Sequence, residues 1–434
     1  METKSNRLGK LSVEDFHGRP NTVKRVAVHF ARFGPYHLAR IDAAARALAD
    51  TDWEVAGLET SGSDATYAWK EERGSTGWER RTVFPGEVLE RIPAARMRAG
   101  IEAALNDLQP AAVAIAGWGS ADARACLEWC GRSGAKAIVM SETREVDGQR
   151  VWWKEWGKTR VVRRFDGALV GGKSHRDYLA KLGMSAERVR FGYDVVDNAY
   201  FATEAAKEKS RDLGMEVETR KYFLASSRFV ERKNLDQLVE AYARLIHQPS
   251  VLSHRPLVWD LCLLGNGELK GSLIAHAGKL GLRVEECAPW ELKTEHRKLE
   301  VPGTSPVVFF PGFRQIDELP RFYAHAGCFV HPALEEPWGL VINEAMACGL
   351  PVLAGNNVGA AEELVENRVN GWKFHATQTD EMVACMERVA SLSEEERRAL
   401  GRESARILEE RCPTEAFGKG LMDILTMQAT ARCF

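Results

Sequence analysis

HPALEEPWGLVINEAMACGLPVLAG, residues 331–355, decides the fold of this chain. It completes an apolar strand (CFVHPAL, 328–334), crosses a short loop (EEPWG), enters a helix (LVINEAMA) and ends in a second apolar strand (PVLAG, 351–355). A strand, a crossover helix and another strand make the repeating unit of a parallel sheet. The loop lies at the carboxyl end of its strand, where open parallel sheets bind ligands. Two carboxylates, Glu336 and Glu344, flank the helix start near Trp338 and Gly339. Free N–H groups at a helix start favour an anion, and Gly339 lets that anion approach the backbone. A carboxylate accepts two hydrogen bonds at once, which suits a vicinal diol. Phosphate on the amides and a diol on each carboxylate describe a nucleotide sugar. The competing reading is that Glu336 caps the helix and Glu344 is solvated.

The same alternation extends outward in both directions. Upstream it predicts strands at 23–30, 53–60, 111–119, 135–143, 167–172 and 188–193, separated by helical patterns. After a polar stretch at 195–218, read as a linker, it resumes at 221–227, 257–265 and 306–312. Short runs rich in Val, Ile and Ala are those of a sheet covered on both faces. The expected fold class is α/β, two Rossmann-like doubly wound parallel-sheet domains facing across a cleft. The expected boundaries are a loose segment 1–22, a first domain 23–197 and a second 198–412. The amphipathic segment 413–434 is left over as a final helix.

A chain of 434 residues is long for a single core, which agrees with two domains. The net charge of -2 argues against nucleic acid as partner. No apolar run reaches the ~18–20 residues of a membrane span, and the N-terminus lacks the apolar core of a signal peptide. The nine cysteines are scattered and form no zinc-ligand spacing, so they are expected as reduced core thiols of a cytoplasmic protein. Asp50-Thr51-Asp52 precedes a strand, at the wrong end of the sheet for a metal site, and reads as a plain turn.

In ASSRFVERKNLDQL, Arg228 follows a strand directly and Lys233 comes five residues later. Arg brings a planar fork of donors and Lys a point charge, the pair expected around a diphosphate. With these residues in view, the chain resembles the GT4 family of retaining glycosyltransferases, which have the GT-B fold. The resemblance rests on Glu336-Pro-Trp-Gly-Leu-Val-Ile-Asn-Glu344 as its E-x7-E motif, on the Arg228/Lys233 pair, on LLGNGELKGSL (263–273) and on NNVGAAEELVENRVNGWKF (356–374). It is close over about 220–420 and mainly architectural before that. Ala360 stands where many members have Gly.

The resemblance implies roles. Glu336 holds donor-sugar hydroxyls, Glu344 the ribose, and Arg228 and Lys233 the leaving diphosphate. Leu340, Trp338 and Gly339 line the donor at the helix start, Gly312 and Phe313 lie at the base, and the final helix crosses back to the first domain. The donor expected is a nucleotide-diphosphate sugar with UDP or GDP, without cofactor or metal. The acceptor expected is a glycan, a lipid-linked sugar or a small molecule.

The first half is less telling. In FARFGPYH, Gly34 gives backbone access to phosphates or is simply a Gly-Pro turn. Where many family members carry a His after the fifth strand, this chain has Glu142 and Arg144, and Glu142 is the candidate stand-in. His29 ends a strand in the cleft or in the core. His175 follows Gly171-Gly172 in an acceptor loop or an ordinary turn. RVWWKEWGKTRVVRRF (150–165) reads as a basic aromatic helix on an anionic membrane, or as one packing its Trp residues inward. Two other functions share the nucleotide site: an epimerase or hydrolase of the same fold, and a catalytically silent binding subunit. A nicotinamide oxidoreductase is disfavoured, because GNG (265–267) is no G-x-G-x-x-G.

Overall fold

The computed structural model describes residues 23–65, 69–70, 77–212, 221–248, 259–291 and 306–427. Two seven-stranded sheets lie within it, and every strand pair in both is parallel. The first contains β1 (Lys24–Phe30), β2 (Trp53–Ser63), β3 (Glu79–Val88), β4 (Ala112–Ala116), β5 (Lys136–Ser141), β6 (Gly167–Val170) and β7 (Val189–Phe191). Their spatial order is β3-β2-β1-β4-β5-β6-β7. The second contains β8 (Tyr222–Ser226), β9 (Asp260–Leu264), β10 (Arg283–Glu285), β11 (Val307–Gly312), β12 (Cys328–His331), β13 (Val352–Gly355) and β14 (Gly371–Phe374), in the order β10-β11-β9-β8-β12-β13-β14.

Each sheet has a switch point between neighbouring strands whose connections run to opposite sides, β1 and β4 in the first and β8 and β12 in the second. At such a switch point the crossover helices leave to opposite faces and open a crevice at the carboxyl ends of the strands. The central strands β4, β8, β9, β12 and β13 are buried nearly throughout, as a sheet covered on both faces requires. Asp260 is tolerated inside β9 because its Oδ1 accepts the Val307 N–H at 2.9 Å.

Two crossings join the units side by side. Thr414 Oγ1 donates to the Val196 carbonyl at 2.8 Å, and Asn198 Nδ2 donates to the Cys412 carbonyl at 3.1 Å. The last helix, Ala416–Thr426, then packs on the first unit against helix Pro35–Leu48. Lys136 Nζ caps its end by donating to the Leu425 and Met427 carbonyls, at 2.9 and 2.8 Å.

The structure departs from expectation in two places. The stretch 195–218 is not a plain linker, because Asn198–Asp212 is helical. Its apolar anchor is Phe201 with Ala205, one turn on; Phe201 meets Tyr323 edge-on at 6.1 Å. Three strands, β3, β10 and β14, were not anticipated: the first is a charged edge strand containing Pro85, the others only three and four residues long. The eight described cysteines are all free, and seven are buried. No described helix is long and apolar enough to cross a membrane.

Candidate active site in the cleft

Strands β8 and β12 are neighbours at the switch point of the second sheet, so the loops that follow them meet. After β8 the chain passes Arg228 and turns at Asn234, whose φ is +57°. Asn234 Nδ2 donates to the Pro332 and Ala376 carbonyls at 3.1 and 2.7 Å, pinning the turn to the exit of β12. The loop gains further support from beneath. Gly265 has a φ of +136°, and a Cβ there would overlap the Ser227 carbonyl, so only glycine allows the 263–273 loop to lie against it.

After β12, Glu336 is fixed through its backbone. Its N–H donates to the Asn357 carbonyl at 3.2 Å, and its carbonyl accepts from Gly359 N–H at 3.0 Å. Its carboxylate then meets the β8 loop. Lys233 Nζ donates to Oε2, and Arg232 Nη1 donates to the same oxygen at 3.3 Å. His331 Nε2 lies 4.0 Å from that oxygen, buried and without a hydrogen-bond partner. Gly339, with φ +102°, initiates helix Leu340–Ala347 directly beside Glu336 and His331.

The electrostatics of this cluster are strongly biased. Burial works against ionising Glu336, but the Lys233 ammonium, with Arg232 adding to it, holds its carboxyl below the usual range. Burial likewise lowers the pKa of Lys233, against the pull of Glu336, and Arg228 is near enough to add to the lowering. His331 is pushed down to about 3 by burial and by Lys233, so it is a neutral imidazole.

Glu142, from the first domain, shares this environment. Solvent reaches it through the cleft, while the protein walls around it deplete its hydration. That desolvation raises its pKa, Arg40 opposes the shift, and Glu336 of the other domain adds to it. Glu142 therefore sits within electrostatic reach of Glu336 and Lys233.

Glu344 lies deeper, 1% exposed. Its Oε1 accepts from Tyr36 of the first domain at 2.8 Å and its Oε2 from Tyr323 at 2.7 Å. Burial raises its pKa to about 7, with the two phenols pulling the other way. Beside it, Trp69 meets Tyr36 edge-on at 6.3 Å and Phe313 of the second domain at 5.0 Å. Gly312 ends β11, and its carbonyl accepts from Gly265 N–H at 3.1 Å.

Several expected site residues do other work. Arg144 is buried, ion-paired with Asp147 at 2.8 Å, and donates to the Asn357 carbonyl at 3.0 Å, which ties the domains together. His175 does the same, with Nδ1 accepting Gly172 N–H and Nε2 3.0 Å from the Pro337 carbonyl. His29 is a core residue, 3.1 Å from Thr60 Oγ1 and 3.6 Å from Asp122. The Gly34 N–H is taken by His37 Nδ1 at 3.0 Å and is closed to a phosphate. Trp338 is buried against Gly171 and His175, its indole N–H donating to Asn343 at 3.0 Å; Leu340 is half-buried against the same core. Arg144 and His175 share a cause: polar side chains after strand ends are also what two domains use to grip each other.

Sequence reasoning missed Tyr36, Tyr323, Arg232 and His331. His331 ends β12 just ahead of Glu336, and Tyr36 opens helix Pro35–Leu48 just after Gly34, which was the available signal. Among the described residues no three His, Cys, Asp or Glu side chains converge as a metal site.

Residues 289–406 match the family model described as glycosyl transferases group 1. Over 181 residues the chain is 26% identical to the uncharacterized glycosyltransferase MJ1607 of Methanocaldococcus jannaschii, covering 42% of this chain and 38% of that protein. It is 43% identical over 70 residues to sucrose synthase 2 of Pisum sativum, covering 15% of this chain and 8% of that one. The chain thus spans well under half the length of these relatives. Among solved structures, HepE of Anabaena in complex with UDP superposes with a TM-score of 0.63 at 17% identity, over 93% of this chain and 99% of that one. The GT-B fold and the resemblance read from the motifs are borne out.

Proposed function

We propose that this chain is a retaining glycosyltransferase that moves a hexose from a nucleotide-diphosphate sugar, carrying UDP or GDP, to a hydroxyl of a glycan, lipid-linked or small-molecule acceptor. One observation carries the reading: an ionised Glu336 held by Lys233 and Arg232 beside a neutral His331, at the switch point of the second sheet. Relatives lend support, since HepE was solved with UDP-glucose and sucrose synthases share the 70-residue segment.

The donor lies along the second sheet, with its diphosphate at Arg228, Lys233 and the helix start at Gly339. As the bond from the anomeric carbon to the diphosphate oxygen breaks, negative charge grows on that oxygen. Preorganised cations stabilise it, which makes electrostatics the main catalytic contribution. The acceptor oxygen bonds to the anomeric carbon on the same face, and its proton passes to the leaving diphosphate. No protein base is then needed. Glu336 orients the sugar hydroxyls and Glu142 faces them from the first domain. Two cations and a helix start meet the diphosphate charge, so the reaction proceeds without added metal. Buried free thiols fit a reducing, cytoplasmic setting.

The test is product analysis by mass spectrometry and NMR, with UDP- and GDP-hexoses, with and without acceptors, in the presence of a chelator. Transfer with an unchanged anomeric configuration is expected. Release of free hexose at the same rate regardless of acceptor would make the chain a hydrolase, and an inverted stereocentre in the donor an epimerase.

A further inference from the structure

Helix Trp152–Val162 packs on the core at its last turn, where Val162 is buried and Val161 lies against it. Ahead of that turn its contact with the protein is charged: Glu155 is hydrogen-bonded to Lys158 and Tyr178, both at 2.8 Å, and Arg150, just before the helix, stacks over the Tyr178 ring at 4.6 Å. Its tryptophans turn outward. Trp152, Trp153 and Trp156 are 81, 55 and 60% exposed, while none of the other nine tryptophans of the chain is exposed. The inward packing that apolar rings ordinarily favour is therefore absent here.

At about 100° per helical residue, Trp152, Trp153, Trp156, Arg160 and Arg163 fall on one stripe roughly 100° wide. Arg160 and Arg163 are exposed, and the Arg160 guanidinium lies 4.4 Å from the Trp156 ring centroid. The one acidic residue of the helix, Glu155, is held on the opposite side by Lys158. The exposed face is thus three indoles flanked by cations with no acidic partner among the described residues. Indoles partition into the headgroup region of a bilayer, and exposed arginines add attraction to anionic lipid.

We propose that this stripe docks the protein peripherally on an anionic phospholipid surface. The helix follows the loop that carries Glu142, and Arg150 of that loop, whose Nη2 donates to the Arg144 carbonyl, lies 3.9 Å from Glu155 of the helix. Docking therefore brings the cleft edge near Glu142 to the membrane, whatever the chemistry in the cleft.

The experiment is co-sedimentation and tryptophan emission of the whole protein with vesicles of phosphatidylcholine alone, or of phosphatidylcholine and phosphatidylglycerol in equal parts. Binding to the anionic vesicles with a blue-shifted emission is expected, weakening as salt is raised. The variant W152S/W153S/W156S, and separately R160E/R163E, should each weaken binding by about tenfold or more. The charge-reversal variant and the salt titration test the idea even if the triple serine variant folds poorly. No sedimentation with either vesicle, or equal binding by well-folded variants of both kinds, would overturn it. So would quenching of the same tryptophans by a soluble oligosaccharide without vesicle binding, or a dimer that the triple variant abolishes. Neither result bears on the donor site, which is assayed in solution.

Discussion

The hydroxyl of Tyr36, on the first helix of one domain, donates to Oε1 of Glu344, 308 residues later in the other, at 2.8 Å. Tyr323 takes the second carboxylate oxygen at 2.7 Å. Both oxygens that a ribose diol would use are therefore engaged, one of them by the opposite domain. If the ribose takes Glu344, nucleotide entry exchanges the Tyr36 bond. Tyr36→Phe should then tighten UDP or GDP binding by roughly three- to tenfold, the worth of about one hydrogen bond. Titration calorimetry measures it; unchanged or weaker binding would remove Glu344 from the ribose.

The same carboxyl predicts a pH dependence of stability. Burial raises Glu344 to about 7 in the folded state, above its ordinary value of 4.5. The contribution of Glu344 is full below the unfolded value and is lost as pH rises from about 4.5 to about 7, because the unfolded chain releases the proton more readily. Glu344→Gln removes this loss, so the variant should gain stability relative to the parent across that window and hold the gain above it. Urea unfolding of both proteins at several pH values shows whether the difference grows.

Glu336 and Lys233 are both nearly buried, with side chains 12 and 10% exposed. Removing Lys233 leaves Glu336 with only the more exposed Arg232 as a cationic partner, at a cost of up to about 3–5 kcal/mol. Lys233→Met should therefore lower the melting temperature and reduce turnover by about a hundred- to thousandfold. Adding Glu336→Gln should restore much of the stability and none of the turnover. If the double variant recovered activity, the pair would be a structural clasp only.

The sheets were legible because the central strands are mostly apolar and buried throughout, as in YFLAS and DLCLL. The placing of Glu336 and Lys233 at one edge of the second sheet was legible too, since both follow strands of that sheet; their direct ion pair was not. What stayed hidden depends on partners far along the chain. Nothing near Arg144 announces Asn357, 213 residues away, and nothing near His175 announces Pro337, 162 away. Charged and titratable residues at strand ends looked catalytic for that reason. Helix Asn198–Asp212 was hidden differently, its two buried apolar residues Phe201 and Ala205 lying among lysines and glutamates that mostly face outward.

Gly339 starts its helix with φ +102°, where a side chain is strained, and a Cβ would stand 3.4 Å from Glu336 Cγ. Gly339→Ala should cost about 1–3 kcal/mol and displace the helix start from the diphosphate. Weaker nucleotide binding with a near-native circular dichroism spectrum is the expected pair of observations. Unaltered affinity would place the phosphates elsewhere.

The most direct test of the donor site is a thermal-shift comparison of UDP, GDP, ADP and their hexose conjugates, without metal, on the parent protein and on Arg228→Ala. A ligand at 100 times its dissociation constant adds roughly 2.7 kcal/mol of stability, which is readily measured. A clear shift with UDP or GDP that Arg228→Ala abolishes is the predicted result. No shift with any nucleotide, or the same shift in the variant, would contradict the donor site at Arg228, Lys233 and Glu336.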